Sequence, residues 1–474
     1  MSPNDAATRS EIGLPAGHVS LPAEELLVIA NEYVEAARID AAERLIKHVL
    51  RRMPNLGQAL QLSGLIAYRR GRHAEAAELI ERGIAAGSVN HTQWRNLSEI
   101  YRLLTRLDEA VAAARRAVAL DPADPQNFFN LAMVQYDRLD VDAAVGAARA
   151  ALDLNPKLPE ARMKLAQVLL AKGAFAEGWE QYEWRYQIPG AQPLMPPTDK
   201  PKWDGKKVEG KLLLIGDQGY GDVIQFLRYL PWVRSVTDDV VLATSQELAN
   251  VVAQVAGDLP QFHKWEDIPP IAAYCALSGL PRLHGTTLEN MPDATPYLRA
   301  DPALAADWKA KLDARLPAGL KRIGIAWAGR PTHNNDLNRT TTLATLKDLG
   351  DVPGVALVSL QKGPAAVQAN DFPGAAPILN LDAEITSFDD TLAIIDGLDL
   401  LITVDTSIAH MAGAMGKPIW VMLPHSPDFR WLLGRSDSPW YPSLLLFRHP
   451  APRRWDLLVP EVAAALQKFI AAGE

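Results

Sequence analysis

Residues 107–122 read LDEAVAAARRAVALDP and residues 141–156 read VDAAVGAARAALDLNP, the same cadence displaced by 34 positions. Small residues keep that step along the chain at Ala42, Ala76, Ala110, Ala144 and Gly178. Two further series hold the same period: Pro54, Ser88, Pro122 and Pro156, then Gly64, Ser98, Ala132 and Ala166. Such a period marks helical hairpins that bury their apolar faces only against neighbouring copies. The Gly64 series falls in the first helix of each unit and the Ala42 series in the second. Small side chains at both places let the two helices approach closely. The prolines precede or open the next first helix, where a missing N–H costs nothing. Leu65, Tyr68, Leu97, Tyr101, Leu131 and Tyr136 are expected to fill the space between units.

These three in-step markers resemble the tetratricopeptide repeat, over residues 22–188 in roughly five units. The resemblance implies an all-α superhelix whose concave groove takes a protein partner or a protein acceptor. The first unit follows the pattern weakly. The last, FAEGWEQYEWRY at 175–186, is aromatic enough to read as a cap packing on the next domain.

Beyond the repeats, residues 187–207 hold five prolines, and a strap-like linker is placed at 189–207. The pattern then turns to strands alternating with helices. KLLLIGD (211–217), DVVLAT (239–244), KRIGIAWAG (321–329), VALVSLQKG (355–363), DLLITVDTS (399–407), PIWVML (418–423) and SLLLFR (443–448) are predicted strands with their trailing loops. Helices are predicted at 222–233, 245–256, 342–349, 387–398, 408–416 and 457–472. Such alternation gives parallel sheets covered on both faces. Two doubly wound halves are expected, at 208–300 and 320–465, with 466–474 ending the closing helix. Ligands should bind beyond the carboxyl ends of the strands.

Composition narrows the classes. The chain of 474 residues carries a formal charge of -8, without the basic stripe a nucleic-acid surface needs. Its one cysteine, Cys275, excludes an internal disulfide and lies in an apolar run that reads as buried packing. No apolar run approaches a membrane span, and the first residues do not read as a signal peptide, so a cytoplasmic location is expected. The ten histidines are dispersed without HExxH, and no metal or cofactor is expected.

Three loops carry chemistry. The first is Gly216, Asp217, Gln218, Gly219, Tyr220, Gly221 and Asp222, where a strand hands over to a helix. Its spacing is neither GxGxxG nor a phosphate loop. Either aspartate could serve as a general base, Asp222 preferentially, or Asp222 could simply cap the helix. The second is Asp405, Thr406 and Ser407, whose hydroxyls and helix N–H groups suit an anion, with His410 on the same helical face. The third is AWAGRPTHNNDLNRT (326–340), where Arg330 and Arg339 bring charge and Asn334, Asn335 and Asn338 bring hydrogen bonds. Gln361 and Lys362, after the next strand, could meet a base or a phosphate.

Together, GDQGYGDVIQFLRYLP and VDTSIAHMAGAMGKPIWVML resemble the heptosyltransferase-like glycosyltransferases of the GT-B fold. The resemblance implies metal-independent, inverting transfer of a sugar from a nucleotide-sugar donor to an acceptor hydroxyl. It implies Asp222 as general base, with the acceptor on the first half. It implies donor-diphosphate contacts from Asp405, Thr406, Ser407 and His410, with Arg330 the nearest match to the family's phosphate-binding basic residue; from their loops, Asn338, Arg339, Gln361 and Lys362 are also placed on the donor side. The loop RPTHNNDLNR departs from the usual heptosyltransferase loop, so donor identity does not carry over. A non-catalytic scaffold that keeps a glycosyltransferase-like body is the alternative.

Overall fold

The computed structural model describes residues 21–333 and 335–472; Asn334 lies outside the described residues. Among the described residues ten α-helices come first: α1 (Ala23–Glu35), α2 (Ile39–Arg52), α3 (Gly57–Arg69), α4 (His73–Ala85), α5 (His91–Leu103), α6 (Leu107–Leu120), α7 (Pro125–Asp137), α8 (Val141–Leu154), α9 (Pro159–Lys172) and α10 (Phe175–Tyr182). The described residues divide into two compact units, one ending at Leu165 and the other beginning at Ala166, and the boundary falls inside α9.

In the first unit the 34-residue markers lie where helices meet. Ala42, Ala76, Ala110 and Ala144 are all 0% exposed. A Cβ on Gly64 would stand 2.6 Å from Ile80 Cγ1, so only a glycine lets α3 and α4 come this close. At Ser98 the hydroxyl donates to the Ala110 carbonyl at 2.8 Å, which satisfies a polar atom inside the hairpin. Asn90 caps α5 in a reciprocal box with Gln93, and Asp124 caps α7 ahead of Pro125.

A further series is conformational. Ala37, Gly71, Thr105, Leu139 and Gly173 all have positive φ, between 58° and 86°. Each ends the first helix of its hairpin. The following N–H reaches back to the carbonyl five residues earlier, as in Arg72 to Ala67 at 2.9 Å and Asp140 to Gln135 at 2.8 Å. This is the Schellman closure that satisfies terminal carbonyls and reverses the chain.

The second unit starts within the last hairpin. There Gly178 lets α10 sit against Leu170, which a Cβ would approach to 2.8 Å. Two parallel sheets follow. The first contains β1 (Leu212–Ile215), β2 (Val240–Ala243), β3 (Gln261–Phe262) and β4 (Ala273–Ala276) in the order β3-β2-β1-β4. The second contains β5 (Lys321–Ala326), β6 (Val355–Ser359), β7 (Ile378–Asn380), β8 (Leu400–Val404), β9 (Ile419–Leu423) and β10 (Leu444–Arg448) in the order β10-β9-β8-β5-β6-β7. Strand order reverses between β1 and β4 and between β5 and β8. Those two crevices are where side chains of neighbouring loops diverge and a ligand can enter.

Helices α11 (Tyr220–Phe226), α12 (Leu230–Val236), α13 (Ala249–Ala256), α14 (Leu280–His284), α15 (Pro302–Arg315), α16 (Phe388–Asp396), α17 (Ser407–Ala414) and α18 (Trp455–Ala472) cover the sheets. The helix expected at 222–233 is divided: a 3-10 turn at Leu227–Tyr229 separates α11 from α12, which Pro231 opens. Helix α15 and strand β7 had no counterpart among the expected elements. Asp301 and Pro302 are the start signal for α15, the Asp301 carboxylate accepting from Leu304 N–H at 2.9 Å. The closing helix α18 joins the core of the second sheet through Leu458, Val459, Val462 and Leu466.

The proline-rich strap lies along β4. Trp203 N–H donates to the Tyr274 carbonyl at 2.8 Å, and Tyr274 N–H donates to the Pro201 carbonyl at 3.2 Å. Trp203 is buried against Trp232, with ring centroids 5.5 Å apart. An otherwise open sheet edge is thereby covered. Cys275 is buried on the same strand, and burial pushes its thiol up to about 12.

Candidate functional site

The loop after β1 turns through Gln218, which has φ of 65°, into the N-terminus of α11. Asp217 and Asp222 stand on either side of this turn and have different work. The Asp217 carboxylate accepts from Ser278 N–H at 3.0 Å and from the Ser278 and Tyr186 hydroxyls, with Arg185 Nε at 3.5 Å. That buried carboxylate thereby ties the turn after α10 to the turn after β4.

Asp222 Oδ2 accepts from Gly219 N–H at 2.9 Å, so the capping role is present. Its Oδ1 meets the Arg430 guanidinium, which also binds Asp428 Oδ1 at 2.6 Å. Burial pushes the Asp222 carboxyl up, and Arg430 and the Gly219 N–H oppose that rise. A carboxylate held at the edge of a crevice, with a raised affinity for protons, can act as a general base.

Gly221 brings the two halves of the body together. A Cβ there would lie 2.6 Å from His410 Cδ2 and 3.4 Å from Ser407 Cα. No side chain fits, so α11 of the first half packs directly on the N-terminal turn of α17 in the second. Tyr220 extends the contact, its ring edge-on to Phe388 at 5.1 Å. Gly216, at the end of β1, is close to Val223 and Thr244.

His410 is buried against Gly221, Tyr441 and Trp431. Its Nδ1 is 3.0 Å from the Tyr441 hydroxyl, and its ring stacks on Trp431 at 5.3 Å and 24°. Burial drives its pKa down to about 3, so it is a neutral hydrogen-bonding group at ordinary pH and not a cation for a phosphate. Thr406 is the residue before α17 and its Oγ1 is 3.3 Å from that of Thr403. Asp405 ends β8, and its backbone carbonyl accepts from Arg339 Nη1 at 2.9 Å. Burial first, and the nearby Asp428 second, push the Asp405 carboxyl up to about 6, with Arg339 opposing.

The loop after β5 folds on itself. Thr340 Oγ1 accepts from Gly329 N–H at 3.0 Å and donates to Asp336 at 2.7 Å. Arg339 lies over Gly329, with Nη2 2.5 Å from where a Cβ would be. Asn338 links Asn335 at 2.8 Å to Arg453 at 3.0 Å, and Arg330 is exposed at the start of the loop.

Gln361 and Lys362 are placed differently from the expected donor contacts. Gln361 Oε1 accepts from the Trp327 and Ala328 N–H groups at 3.0 and 2.9 Å, and Nε2 donates to two carbonyls. That amide pins the loop after β5. The Lys362 ammonium donates to the Asp382 and Ile385 carbonyls and pairs with Asp382 Oδ1 at 3.1 Å. The Gln361 side chain is buried in this role, whereas Lys362 stays exposed at the surface.

Within the aromatic- and arginine-rich run at 429–450, Arg430 and Trp431 join the candidate site, as do Asp428 and His333. The last lies near Arg339, Asp428, Asp336 and Arg430, and burial lowers its pKa. Arg228 is the buried cation beneath them, 2% exposed, 4.8 Å from the Tyr441 ring centroid and 5.2 Å from that of Trp440. The run DFRWLL at 428–433 carried the signal, an acid-base pair between aromatics. Among the described residues no group of three His, Cys, Asp or Glu side chains could hold a metal ion.

The helical hairpins are tetratricopeptide repeats: residues 27–91, 64–125 and 129–187 match that family's model. They precede a body of parallel sheets and helices, an α/β arrangement. Among curated proteins, Protein FlbA of Caulobacter vibrioides is 29% identical over 348 residues, covering 65% of this chain and 55% of that protein. The chain thus spans about half the length of the curated relative it matches. Similar solved structures include YrrB, described as a TPR protein with an unusual peptide-binding site, at 17% identity and a TM-score of 0.32. That likeness covers 39% of this chain and 91% of YrrB. PilF of Pseudomonas aeruginosa is 18% identical, with a TM-score of 0.33 over 36% of this chain and 78% of PilF. No helix among the described residues is long and apolar enough to cross a membrane.

Proposed function

We propose that the α/β body is an inverting, metal-independent glycosyltransferase of GT-B type that moves a sugar from a nucleotide-sugar donor to an acceptor hydroxyl. The acceptor is a protein, held by the tetratricopeptide repeats, whose stacked hairpins form extended concave binding surfaces. The observation that carries this reading is the contact of Gly221 with Ser407 and His410, which sets Asp222 beside the N-terminal turn of α17. A base from one half then faces an anion-binding helix end from the other.

In the reaction, the Asp222 carboxylate takes the proton of the acceptor hydroxyl. The oxygen forms a bond to the anomeric carbon while the bond to the diphosphate breaks on the opposite face. Charge growing on the diphosphate is met by the N–H groups of α17, the hydroxyls of Thr406 and Ser407, and the guanidinium of Arg339. Arg330 and Asn338 lie on the same donor-side loop.

A panel of nucleotide sugars tests the reading. Asp222→Asn should lower turnover by about 10²–10⁴-fold while leaving donor binding nearly intact. Unchanged turnover would remove Asp222 from the role. The second reading is a protein-binding scaffold with an inactive body, and the tetratricopeptide match at residues 27–91, 64–125 and 129–187 fits protein binding under either reading. Absence of transfer and of hydrolysis by the wild-type chain with every donor would select it.

A further inference from the structure

The turn that carries Arg430 and Trp431 is held from outside the sheets. Phe429, 4% exposed, receives the edge of Trp179 at 5.8 Å and 85°, and that of Tyr182 at 5.4 Å and 65°. Trp179 also meets Phe226 of α11 at 6.2 Å. The backbone is tied as well: Leu433 N–H donates to the Ala171 carbonyl of α9 at 3.0 Å. Between these anchors Leu432 sits at φ 52°, a strained setting that persists only where its surroundings impose it. From this turn Arg430 lies over the Phe429 ring at 4.4 Å and reaches Asp222. Trp431 leaves the turn in the other direction and stacks on His410.

We propose that the helical hairpin closing the repeats is part of the active site, with Trp179 and Tyr182 as positioning residues. They fix the 429–433 turn and, through it, the Arg430 contact with Asp222 and the Trp431 stack on His410. The proposal rests on the transferase reading of Asp222. It makes the catalytic geometry depend on α10, an element that belongs by sequence to the tetratricopeptide pattern. Loosening the turn withdraws Arg430 from Asp222. The groups then facing Asp222 are Asp428, Asp217, Tyr182 and the Gly219 N–H, of which only the last favours the carboxylate.

Hydrogen exchange on the full chain reads this clamp without any substrate. In Trp179→Leu and Tyr182→Leu, amides at 428–432 and 219–223 should exchange about tenfold faster while β8 and β9 keep their protection. Tyr182→Phe keeps the ring and should match the wild type. Where Trp179→Leu fails to fold, Tyr182→Leu decides. Turnover on a nucleotide-sugar panel is the second readout. The leucine variants should lose about tenfold or more in kcat with donor KM little changed, as misplacing a reacting group does. The acid limb of their pH profile should move to higher pH, because Asp222 without Arg430 holds its proton longer. Unchanged exchange in the turn, exchange raised evenly through β8 and β9, or an unmoved pH limb in an active variant would each overturn the proposal. Faster exchange at the turn in a protein whose wild type turns over no nucleotide sugar would support the clamp and sink the transferase reading.

Discussion

Gly221 and Asp405 show how single positions shape this site. At Gly221 the absence of a side chain is the functional property, since the first atom of one would enter His410. At Asp405 the property is an uncomfortable charge, half-buried near a second carboxylate and pushed up to about 6. A carboxyl whose folded pKa exceeds its unfolded value binds more protons in the folded state. Stability therefore falls as pH rises from about 4 to about 6. Asp405→Asn removes that loss. Its melting temperature should match the wild type below pH 4, gain on it between pH 4 and 6, and hold the gain above. Parallel curves in thermal unfolding across that range would contradict the assignment. Asp405, Ser407 and Asp222 were legible in the sequence because each closes a strand or opens a helix. The pairing of Arg430 with Asp222 was not, since the two are distant in the chain and adjacent only after both sheets form.

Among the elements, the repeat hairpins follow a rule that residue identity hides. The reversal at Ala37, Gly71, Thr105, Leu139 and Gly173 needs a left-handed residue every time, yet glycine fills it only twice. Backbone conformation repeats here more faithfully than side chains do. Gly71 has nothing within 4 Å of a Cβ, so any cost of substitution there is conformational. Gly71→Ala should lower stability by about 1 kcal/mol, and Ala37→Gly, at an exposed position, should raise it by a similar or smaller amount. Thermal or urea unfolding of both variants checks the pair; equal effects of the same sign would refute the rule. The α/β elements were readable where apolar runs were strong, as in β1, β5 and β8. Helix α15 was missed because ALAADWKAKLDAR alternates weakly, burying only Trp308 and Leu312. The three residues of β7, none fully buried, carry too little pattern to be seen.

On the scale of the whole molecule, the last repeat hairpin belongs to the same compact unit as the body. The compact unit that contains both sheets begins at Ala166, within α9. It includes Trp179 against Phe226 and Phe429, and Arg185 and Tyr186 against Asp217. A fragment of residues 208–474 would bare those aromatic faces and leave Asp217 buried without its cation. It should lose about 3–5 kcal/mol relative to a fragment of residues 159–474, the usual cost of emptying an aromatic contact or breaking a buried pair. Matched melting curves of the two fragments would count against this boundary.

By itself the sequence determined the repeat period, the helical hairpins, the alternation that makes parallel sheets, and the loops able to carry chemistry. These follow from local periodicity, helix signals and the few residue types that tolerate tight turns. Only the tertiary structure decided which loops meet, that the Gln361 amide is buried holding the loop after β5, and that the last repeat packs on the turn bearing Arg430. Those outcomes depend on packing between distant segments, where a hydrogen bond or an aromatic edge leaves no spacing for the sequence to display.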